Sequence, residues 1–267
     1  MRSSGGVRVF GGVACLASDS LRNKVSLVAE DEFVRFMWIW ISIRVSPLRD
    51  IYIAVCYFSP SSSPFAIHNG SKGDTFINLY TDITQYSVVG EVILQGDFNA
   101  RNRDLQIPLH DRLEDVFCTQ GIDPDLVGLH RMSDDALGPI AVYGKHLLQL
   151  GGSQGLLILT GLPCFPNSRF FTCRPYSEGA SVVDYALASH NLLPFIRHFL
   201  VSPIPLSDHA LLSFSLSITY PYKVYITTKY MHLHPVDDTT HTPTLSVHHN
   251  TIHTPTTSVQ HNKYTYT

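Results

Sequence analysis

Short runs in which apolar and polar residues alternate recur along most of this chain, and they predict its strands. The clearest run lies at residues 210–218, where Leu212, Phe214 and Leu216 face one way and three serines face the other. A second run, at residues 33–45, is rich in aromatic and β-branched side chains, which favours a long strand. Further strands are predicted at residues 11–17, 50–57, 91–95, 156–160, 169–173 and 181–188.

Helical spacing of apolar residues separates several of these strands. Asp74 is a favourable N-cap. An apolar stripe follows it at helical spacing, formed by Phe76, Leu79, Tyr80 and Ile83. Helices are also predicted at residues 112–120, 143–154 and 190–198. Because strands and helices alternate, the pattern favours an α/β (α+β) layered architecture in which sheets pack between helices.

The composition changes after about residue 220, so two regions are expected. Residues 1–220 read as one globular domain, whereas residues 221–267 contain no Gly, few apolar residues and many Thr and His. His-Thr-Pro-Thr at residues 241–244 returns at residues 253–256. Such a tail cannot bury enough surface to offset its ordering entropy, so it is predicted to be disordered. A metal-binding histidine tract is the alternative to low-complexity sequence without a role.

The charge balance restricts the kind of phosphate chemistry that this chain can perform. Hydrophobic residues make up 44% of the chain, enough for a core, and the net charge is −3. A protein that neutralises nucleic-acid phosphates with its own surface usually has a basic excess. Since this chain has none, phosphate chemistry here would take its positive charge from a divalent metal held by carboxylates.

Five cysteines at irregular spacing, without a Cys-x-x-Cys pair, argue against a disulfide framework or a zinc site and favour a reducing compartment. No signal peptide is recognisable. The most apolar run, residues 36–43, is shorter than the ~20 residues that a transmembrane helix needs. The expected location is therefore intracellular, in the nucleus or the cytoplasm, with no feature that indicates a membrane or a protein partner.

Residues 95–99 carry the first candidate chemistry. An apolar strand leads to Gly96 and then to Asp97 and Asn99, two residues apart. In an extended segment such residues point to the same side, so both are expected to address one site. A carboxylate there can activate a water, and an amide can hold a phosphoryl oxygen. The alternative is an ordinary Gly-Asp-x-Asn turn that closes a strand.

Asp184, Asp208 and His209 form a second group of candidates. His209 can protonate a leaving oxygen or stabilise a phosphate as imidazolium, and Asp208 can bind a metal. Asp184 interrupts an apolar strand, where an unpaired carboxylate is costly, and an Asp behind a His fixes the tautomer of the ring. A surface loop around His209 and a solvent-facing strand edge at Asp184 are the alternatives.

Tyr57 and Thr172 are further candidates for contact with a phosphate. Tyr57 ends a predicted strand and can donate a hydrogen bond, and Thr172 lies in Phe-Phe-Thr-Cys. A core tyrosine and an ordinary strand threonine are the simpler interpretations of these two residues.

The order of these motifs is more specific than any one of them. Tyr-x-x-Pro, Gly-Asp-Phe-Asn, a strand Thr, Val-Asp-Tyr and Ser-Asp-His resemble, in that order, the endonuclease/exonuclease/phosphatase superfamily. Residues 11–14, 144–150, 155–161 and 181–189 are similar to the apurinic-type endonuclease domain of non-LTR (LINE-like) retrotransposons. The resemblance covers roughly residues 5–218. It implies a four-layer sandwich of two packed mixed β-sheets flanked by helices.

The resemblance also implies a role for each motif residue. Asp97 would orient or activate the attacking water, and Asn99 would help to hold it or the phosphate. His209 would contact the scissile phosphate, and Asp184 would orient His209. Asp208 would bind the metal ion, Mg²⁺ or Mn²⁺. Tyr57, Thr172 and Ser207 would line a phosphate pocket. The implied partner is DNA.

The chain departs from the family at its beginning. The family opens with a strand that carries an Asn and a second strand whose Glu binds the metal, and both precede the Gly-Gly-Val-Ala segment. Here that segment begins at residue 11, and nothing before it supplies either motif. The chain is therefore expected to be N-terminally truncated, to lack the first strands of the fold and to have an incomplete metal site.

Three functional hypotheses follow from these observations. The first is a metal-dependent phosphodiester hydrolase, a DNA-nicking retroelement endonuclease whose activity is impaired. The second is a catalytically inactive retroelement relic or non-enzymatic fragment. The third is a lipid or inositol phosphodiesterase of the same superfamily.

Overall fold

The computed structural model describes residues 13–15, 23–30, 37–44, 50–61, 63, 74–106, 131–175, 179–205, 207–219 and 222–228. The predicted helix at residues 112–120 and residues 229–267 of the predicted disordered tail lie outside the described residues. Of the predicted strand at residues 11–17, only residues 13–15 are described, and they are not in a strand.

Two α-helices and nine strands are assigned in the described residues. The helices are α1, Asp74–Val89, and α2, Val142–Gln154. The first five strands are β1 Val25–Glu30, β2 Trp38–Arg44, β3 Asp50–Tyr57, β4 Gly90–Asp97 and β5 Leu156–Ile158. The others are β6 Asp184–Ser189, β7 Ile196–Ser202, β8 Leu211–Thr219 and β9 Tyr222–Thr228. Short 3₁₀ turns occupy Pro166–Ser168 and His190–Phe195.

The larger sheet has six strands in the order β1-β2-β3-β4-β6-β5. Strands β3 and β4 are parallel and are joined through α1, whereas all other neighbours in the sheet are antiparallel. The central strand β4 is almost completely buried, because both of its faces are covered. Its middle residues, 92–94, are therefore apolar without interruption rather than alternating with polar residues.

The two faces of the larger sheet contribute to two separate cores. On one face, alternate residues such as Trp40, Leu94 and Leu187 pack with α1 and α2. On the other face, residues such as Ile53 and Ile93 pack against the smaller sheet. The period of two along each strand is what separates the two sets.

The smaller sheet is antiparallel, in the order β7-β8-β9. Gln95, on β4, donates a hydrogen bond from Nε2 to the carbonyl of Leu212 on β8 (3.0 Å), which ties the centres of the two sheets together. The architecture is the predicted α/β sandwich of two packed sheets with helices. The larger sheet is mixed and the smaller one antiparallel, and the described residues supply three of the four predicted layers. The expected absence of the first strands stays a prediction.

The predicted boundary at residue 220 is wrong by one strand. Tyr222–Thr228 pairs with β8 along its length. Val224 and Ile226 alternate with polar residues in this segment, and that short β pattern lies within the region predicted to be disordered. The folded part of the chain therefore continues at least to Thr228.

Two other local predictions also differ from the structure. Residues 169–173 do not form a strand, and only Cys173 makes isolated bridges, to Ser181 and to His209. The predicted helix at residues 190–198 is a 3₁₀ turn that ends at Phe195, because Pro194 lacks the amide hydrogen that a longer helix needs. The strand β7 follows directly.

Helix α1 is joined to β2 by a shared carboxylate. Trp38 and Trp40 each donate their indole N–H to the same Oδ2 atom of Asp82, both at 2.9 Å. Helix α2 ends at Gly155, whose φ of 63° is the left-handed conformation that favours glycine at a helix end. No described helix is both long enough and apolar enough to cross a membrane. None of the four described cysteines forms a disulfide.

Candidate active site

Three of the predicted site residues form a row across the larger sheet. In the strand register, Tyr57 of β3 is the partner of Asp97 of β4, and Asp97 is the partner of Asp184 of β6. Asp97 and Asp184 lie two positions from Gln95 and Ala186, which face the smaller sheet, so both carboxylates point into the space between the sheets. Both are almost fully buried.

His209 reaches this row from the other sheet, just before β8. Its Nδ1 atom lies 3.0 Å from both carboxylate oxygens of Asp184. Its Nε2 atom lies 4.0 Å from Oδ2 of Asp97. The Asp184 carboxylate accepts the Nδ1–H hydrogen bond and so fixes the orientation of the ring, with Nε2 directed towards Asp97.

Charge and burial shift the titration of these groups strongly. Burial acts to lower the pKa of His209, but its hydrogen bonds to Asp184 and Cys173 and the charges of Asp184 and Asp97 raise it to about 11. Burial and the charge of Asp184 raise the pKa of Asp97 well above its usual range, against the opposing effect of His209. Burial also raises the pKa of Asp184, although its hydrogen bond to His209 opposes this. His209 is therefore an imidazolium at neutral pH, hydrogen-bonded to Asp184.

Asn99 lies beside Asp97, but not for the reason predicted. Its φ of 44° is left-handed, a conformation that Asn tolerates, so the segment is not extended there. The backbone N–H of Asn99 donates to Oδ1 of Asp97 (2.8 Å), and its Nδ2 donates to Oδ2 of Asp97 (3.0 Å) and to the carbonyl of Phe58 (2.7 Å). Asn99 thus holds the Asp97 carboxylate in place.

Thr172 lies behind Asp184. Its Oγ1 accepts hydrogen bonds from the backbone N–H groups of Val183 and Asp184, both at 3.0 Å, and its hydroxyl also bonds to the Asp184 carboxylate. The side chain is fully buried. This geometry makes Thr172 a positioning residue for Asp184, and its contact with a phosphate stays a prediction.

Ser207 and Asp208 form the turn that leads into His209. The Ser207 Oγ accepts the backbone N–H of His209 (3.1 Å), and the Asp208 carbonyl accepts the N–H of Arg174 (2.7 Å). The charge of Asp208 contributes to raising the pKa of both Asp97 and Asp184, which places its carboxylate in the same electrostatic environment.

Tyr57 is half-buried at the end of β3, next to Asp97. Burial and the charge of Asp97 raise the pKa of its hydroxyl, so Tyr57 is a neutral hydrogen-bond donor at neutral pH. The backbone continues into Phe58, whose N–H donates to the carbonyl of Asp97 (2.7 Å).

Two supporting groups were not found from the sequence. Arg101 forms a bidentate ion pair with Asp135 (2.9 and 2.7 Å), and Asp135 also accepts the N–H of Val182. This ion pair connects the loop after Asp97 to the residues just before Asp184. These partners lie 34 or more residues apart, and no local pattern links them.

Cys173 is the residue of the site itself that sequence reasoning missed. It forms a hydrogen bond with His209 and pairs with it in an isolated bridge. The only sequence signal that pointed to Cys173 was its position directly after the candidate residue Thr172.

The donor set suits a divalent cation. Ligand atoms of Asp97, Asp184 and His209 lie within 4.8 Å of one another, and so do those of Cys173, Asp208 and His209. Three carboxyl groups surround one imidazole, so acidic side chains outnumber basic ones at this centre. Carboxylate oxygens are the ligands that Mg²⁺ and Mn²⁺ prefer.

Comparison with solved structures shows likeness of fold at low sequence identity. The endonuclease domain of TRAS1, a telomere-specific non-LTR retrotransposon, is 17% identical over 73% of this chain and 67% of its own, with a TM-score of 0.44. The 3′-5′ exonuclease NExo from Neisseria meningitidis is 16% identical over 72% and 70%, with a TM-score of 0.46.

A Neisseria 3′ phosphatase NExo structure bound to a product DNA hairpin is 15% identical over 70% of this chain and 67% of its own, with a TM-score of 0.43. No family model matches the chain, and no curated protein matches it significantly. The chemistry considered below rests on the residues of the site alone.

Proposed function

We propose that this chain is a metal-dependent phosphodiesterase that nicks DNA, of the retroelement endonuclease type. The main support for the proposal is the buried arrangement in which the His209 ring lies between the side chains of Asp184 and Asp97. There the His209 imidazole and the Asp97 carboxylate lie 4.0 Å apart, and both are buried between the two sheets. Few structural roles require three ionisable side chains to be buried together.

Each residue has a distinct task in phosphodiester hydrolysis. A water oxygen forms a bond to phosphorus, the bond from phosphorus to one ester oxygen breaks, and the leaving oxygen takes a proton from solvent. Asp97, whose pKa is raised, accepts the proton of the water. His209 stabilises the negative charge that develops on the phosphate oxygens, and Tyr57 donates a hydrogen bond to them.

The remaining residues hold these groups in position. Asp184 keeps the His209 ring oriented and charged, and Asn99 fixes Asp97. Ser207 supports the turn at His209, and its predicted contact with phosphate is part of the proposal. When bound, a Mg²⁺ or Mn²⁺ ion held by Asp208 would supply the Lewis acid, since a chain with a net charge of −3 has no basic excess of its own.

DNA is the proposed substrate because the motif order resembles retroelement endonucleases. A lipid or inositol phosphodiesterase would use the same site chemistry, and a catalytically inactive fragment would keep the same geometry. These alternatives make different predictions in one assay, because they differ in whether DNA is cut and whether the cut depends on this site.

The test is nicking of supercoiled plasmid by the whole chain, with Mg²⁺ or Mn²⁺ and with EDTA. We expect nicking that EDTA abolishes and that Asp97→Asn and His209→Asn each reduce by about 10²- to 10⁴-fold, the range for positioned acid–base groups. Asp50→Asn and His198→Asn are the matched controls. Asp50 lies at the opposite end of β3, and His198 is exposed on β7 with a φ of 55° that Asn tolerates.

Equal nicking by the wild type and the two site variants would rule out catalysis by this site. Absence of nicking, with cleavage of a soluble phosphodiester that still depends on Asp97, would favour the lipid or inositol alternative. Absence of both activities in a folded protein would favour the inactive relic.

A further inference from the structure

Cys173 brings a thiol into the candidate site. Three backbone features fix its position: an isolated bridge to His209, and hydrogen bonds of 2.7 Å from Arg174 N–H to the Asp208 carbonyl and from Ala210 N–H to the Thr172 carbonyl. The segment with the cysteine is therefore paired with the segment that carries Asp208 and His209.

The thiol meets two other metal-binding groups there. The Sγ of Cys173, a carboxylate oxygen of Asp208 and a ring nitrogen of His209 all lie within 4.8 Å of one another. Ligand atoms of a tetrahedral zinc ion are separated by about 3.6 Å, given bonds of about 2.0 to 2.3 Å. Each side chain therefore needs to move by only about 1 Å to share a metal ion.

The ligand types discriminate between cations. Mg²⁺ prefers oxygen ligands and has little affinity for a thiolate, whereas Zn²⁺ binds thiolate, imidazole and carboxylate well. Three protein ligands and one open position are also the usual composition of a zinc site that exchanges water.

The surroundings of His209 suit a metal ligand. Asp184 occupies the Nδ1 atom, so coordination would use Nε2, the nitrogen 4.0 Å from Asp97. A carboxylate that accepts the other N–H of a ligating histidine is one of the arrangements that orient the ring in metal sites. The excess of carboxylates around the ring attracts a cation in place of the imidazolium proton.

We propose that Cys173, Asp208 and His209 form a binding site for a thiophilic divalent cation such as Zn²⁺, and that this cation inhibits the site. On binding, Sγ and Nε2 each give up a proton to solvent and form a bond to the metal, with no change in oxidation state. The metal then holds the Nε2 atom that would otherwise face the phosphate. Binding stands on the cluster alone, whereas inhibition rests on the proposed function.

Binding is tested with Co²⁺ as a spectroscopic substitute for Zn²⁺. A thiolate ligand gives Co²⁺ an intense near-ultraviolet charge-transfer band, which histidine and carboxylate ligands do not. This matters because seven of the 14 histidines lie after residue 222, in a segment without cysteine. We expect a 1:1 band in the wild type that Zn²⁺ abolishes, no band with Cys173→Ser, and an unchanged band with Cys164→Ser, which alters an exposed cysteine.

A wild-type protein without the band, or a band that survives Cys173→Ser, would overturn the site. Asp208→Asn and His209→Asn should each weaken Co²⁺ binding by at least about 10-fold, the lower limit for loss of a group that supports a metal. Unchanged affinity in both would also overturn it. Tryptophan fluorescence checks that each variant is folded.

Inhibition is a separate arm of the same experiment. Addition of Zn²⁺ at constant Mg²⁺ should suppress nicking by the wild type and by Cys164→Ser, and should suppress it at least about 10-fold less effectively in Cys173→Ser. A band together with Zn²⁺-insensitive nicking would reject inhibition and leave binding established. A band without any nicking would reject the proposed function but not the metal site.

Discussion

At the scale of single residues, Thr172 shows how much of the site depends on one hydroxyl group. Its Oγ1 accepts two backbone hydrogen bonds and bonds to the carboxylate of Asp184, all in a fully buried position. A buried donor that loses its partner costs about 1–3 kcal/mol. The Thr172 hydroxyl therefore contributes more to local stability than the hydroxyl of a typical strand threonine does.

Thr172→Val should lower the free energy of unfolding by about 2–4 kcal/mol, because it removes the acceptor of two buried N–H groups. Thr172→Ser keeps the hydroxyl and should cost less than half as much. Urea unfolding of both variants measures the difference. Equal losses would mean that the methyl group, rather than the hydroxyl, supplies the stability.

Sequence patterns predicted which residues belong to the candidate site better than they predicted the contacts between those residues. Asp97, Asp184 and His209 stand at strand ends or inside an apolar strand, and such positions identify a buried polar group from local pattern alone. Cys173 is different. It enters the site through a bridge to His209, 36 residues away, which no local pattern reports.

At the scale of elements, Asp82 connects helix α1 to strand β2 through two indole groups. Both tryptophans donate to one carboxylate oxygen, Oδ2. They are the only two tryptophans in the chain. The intrinsic fluorescence of the protein therefore reports on this one contact.

Asp82→Ala should destabilise the protein by about 1–3 kcal/mol for each indole N–H left unsatisfied, and it should change the wavelength of tryptophan emission. Asp82→Asn retains an acceptor oxygen and is the matched control. Nicking per folded molecule should be unchanged in both, because Asp82 lies on the helix-covered face of the sheet. Emission and stability that match the wild type in Asp82→Ala would contradict the contact.

Strands and helices were predictable where the apolar period was regular, as in β3, α1, α2 and β8. Residues 169–173 were predicted as a strand because their aromatic residues mimic β propensity. Instead, the backbone groups of this segment form hydrogen bonds with the loops around the site. Strand β7 was not predicted, because a helix was predicted over its first residues. In addition, a register shift between Arg197 and Leu200 disturbs its apolar alternation.

At the scale of the whole molecule, the smaller sheet depends on a strand beyond the predicted domain boundary. Strand β8 has β7 on one side and β9 on the other. Residues 229–267 lie outside the described residues, so the expected disorder of the tail stays a prediction.

A chain that ends at residue 219 should be less stable than one that ends at residue 232 by at least about 2 kcal/mol, since several backbone hydrogen bonds of about 1 kcal/mol each are lost. It should also aggregate more readily, because β8 becomes an exposed edge. The chain that ends at residue 232 should unfold at the same urea concentration as the whole protein. Identical midpoints for the two truncated chains would show that β9 does not support the sheet.

The register that sets Asp97 opposite Asp184 has a consequence for how this molecule can evolve. Like charges directly opposite each other on neighbouring strands destabilise a sheet, and here burial strengthens the repulsion. Selection for stability alone would favour replacing Asp97, the acid without the close hydrogen bond to His209, by a neutral residue. Under the proposed function, stability and chemistry therefore exert opposite selection on Asp97, and a lineage released from the need for that function would gain stability by replacing this residue.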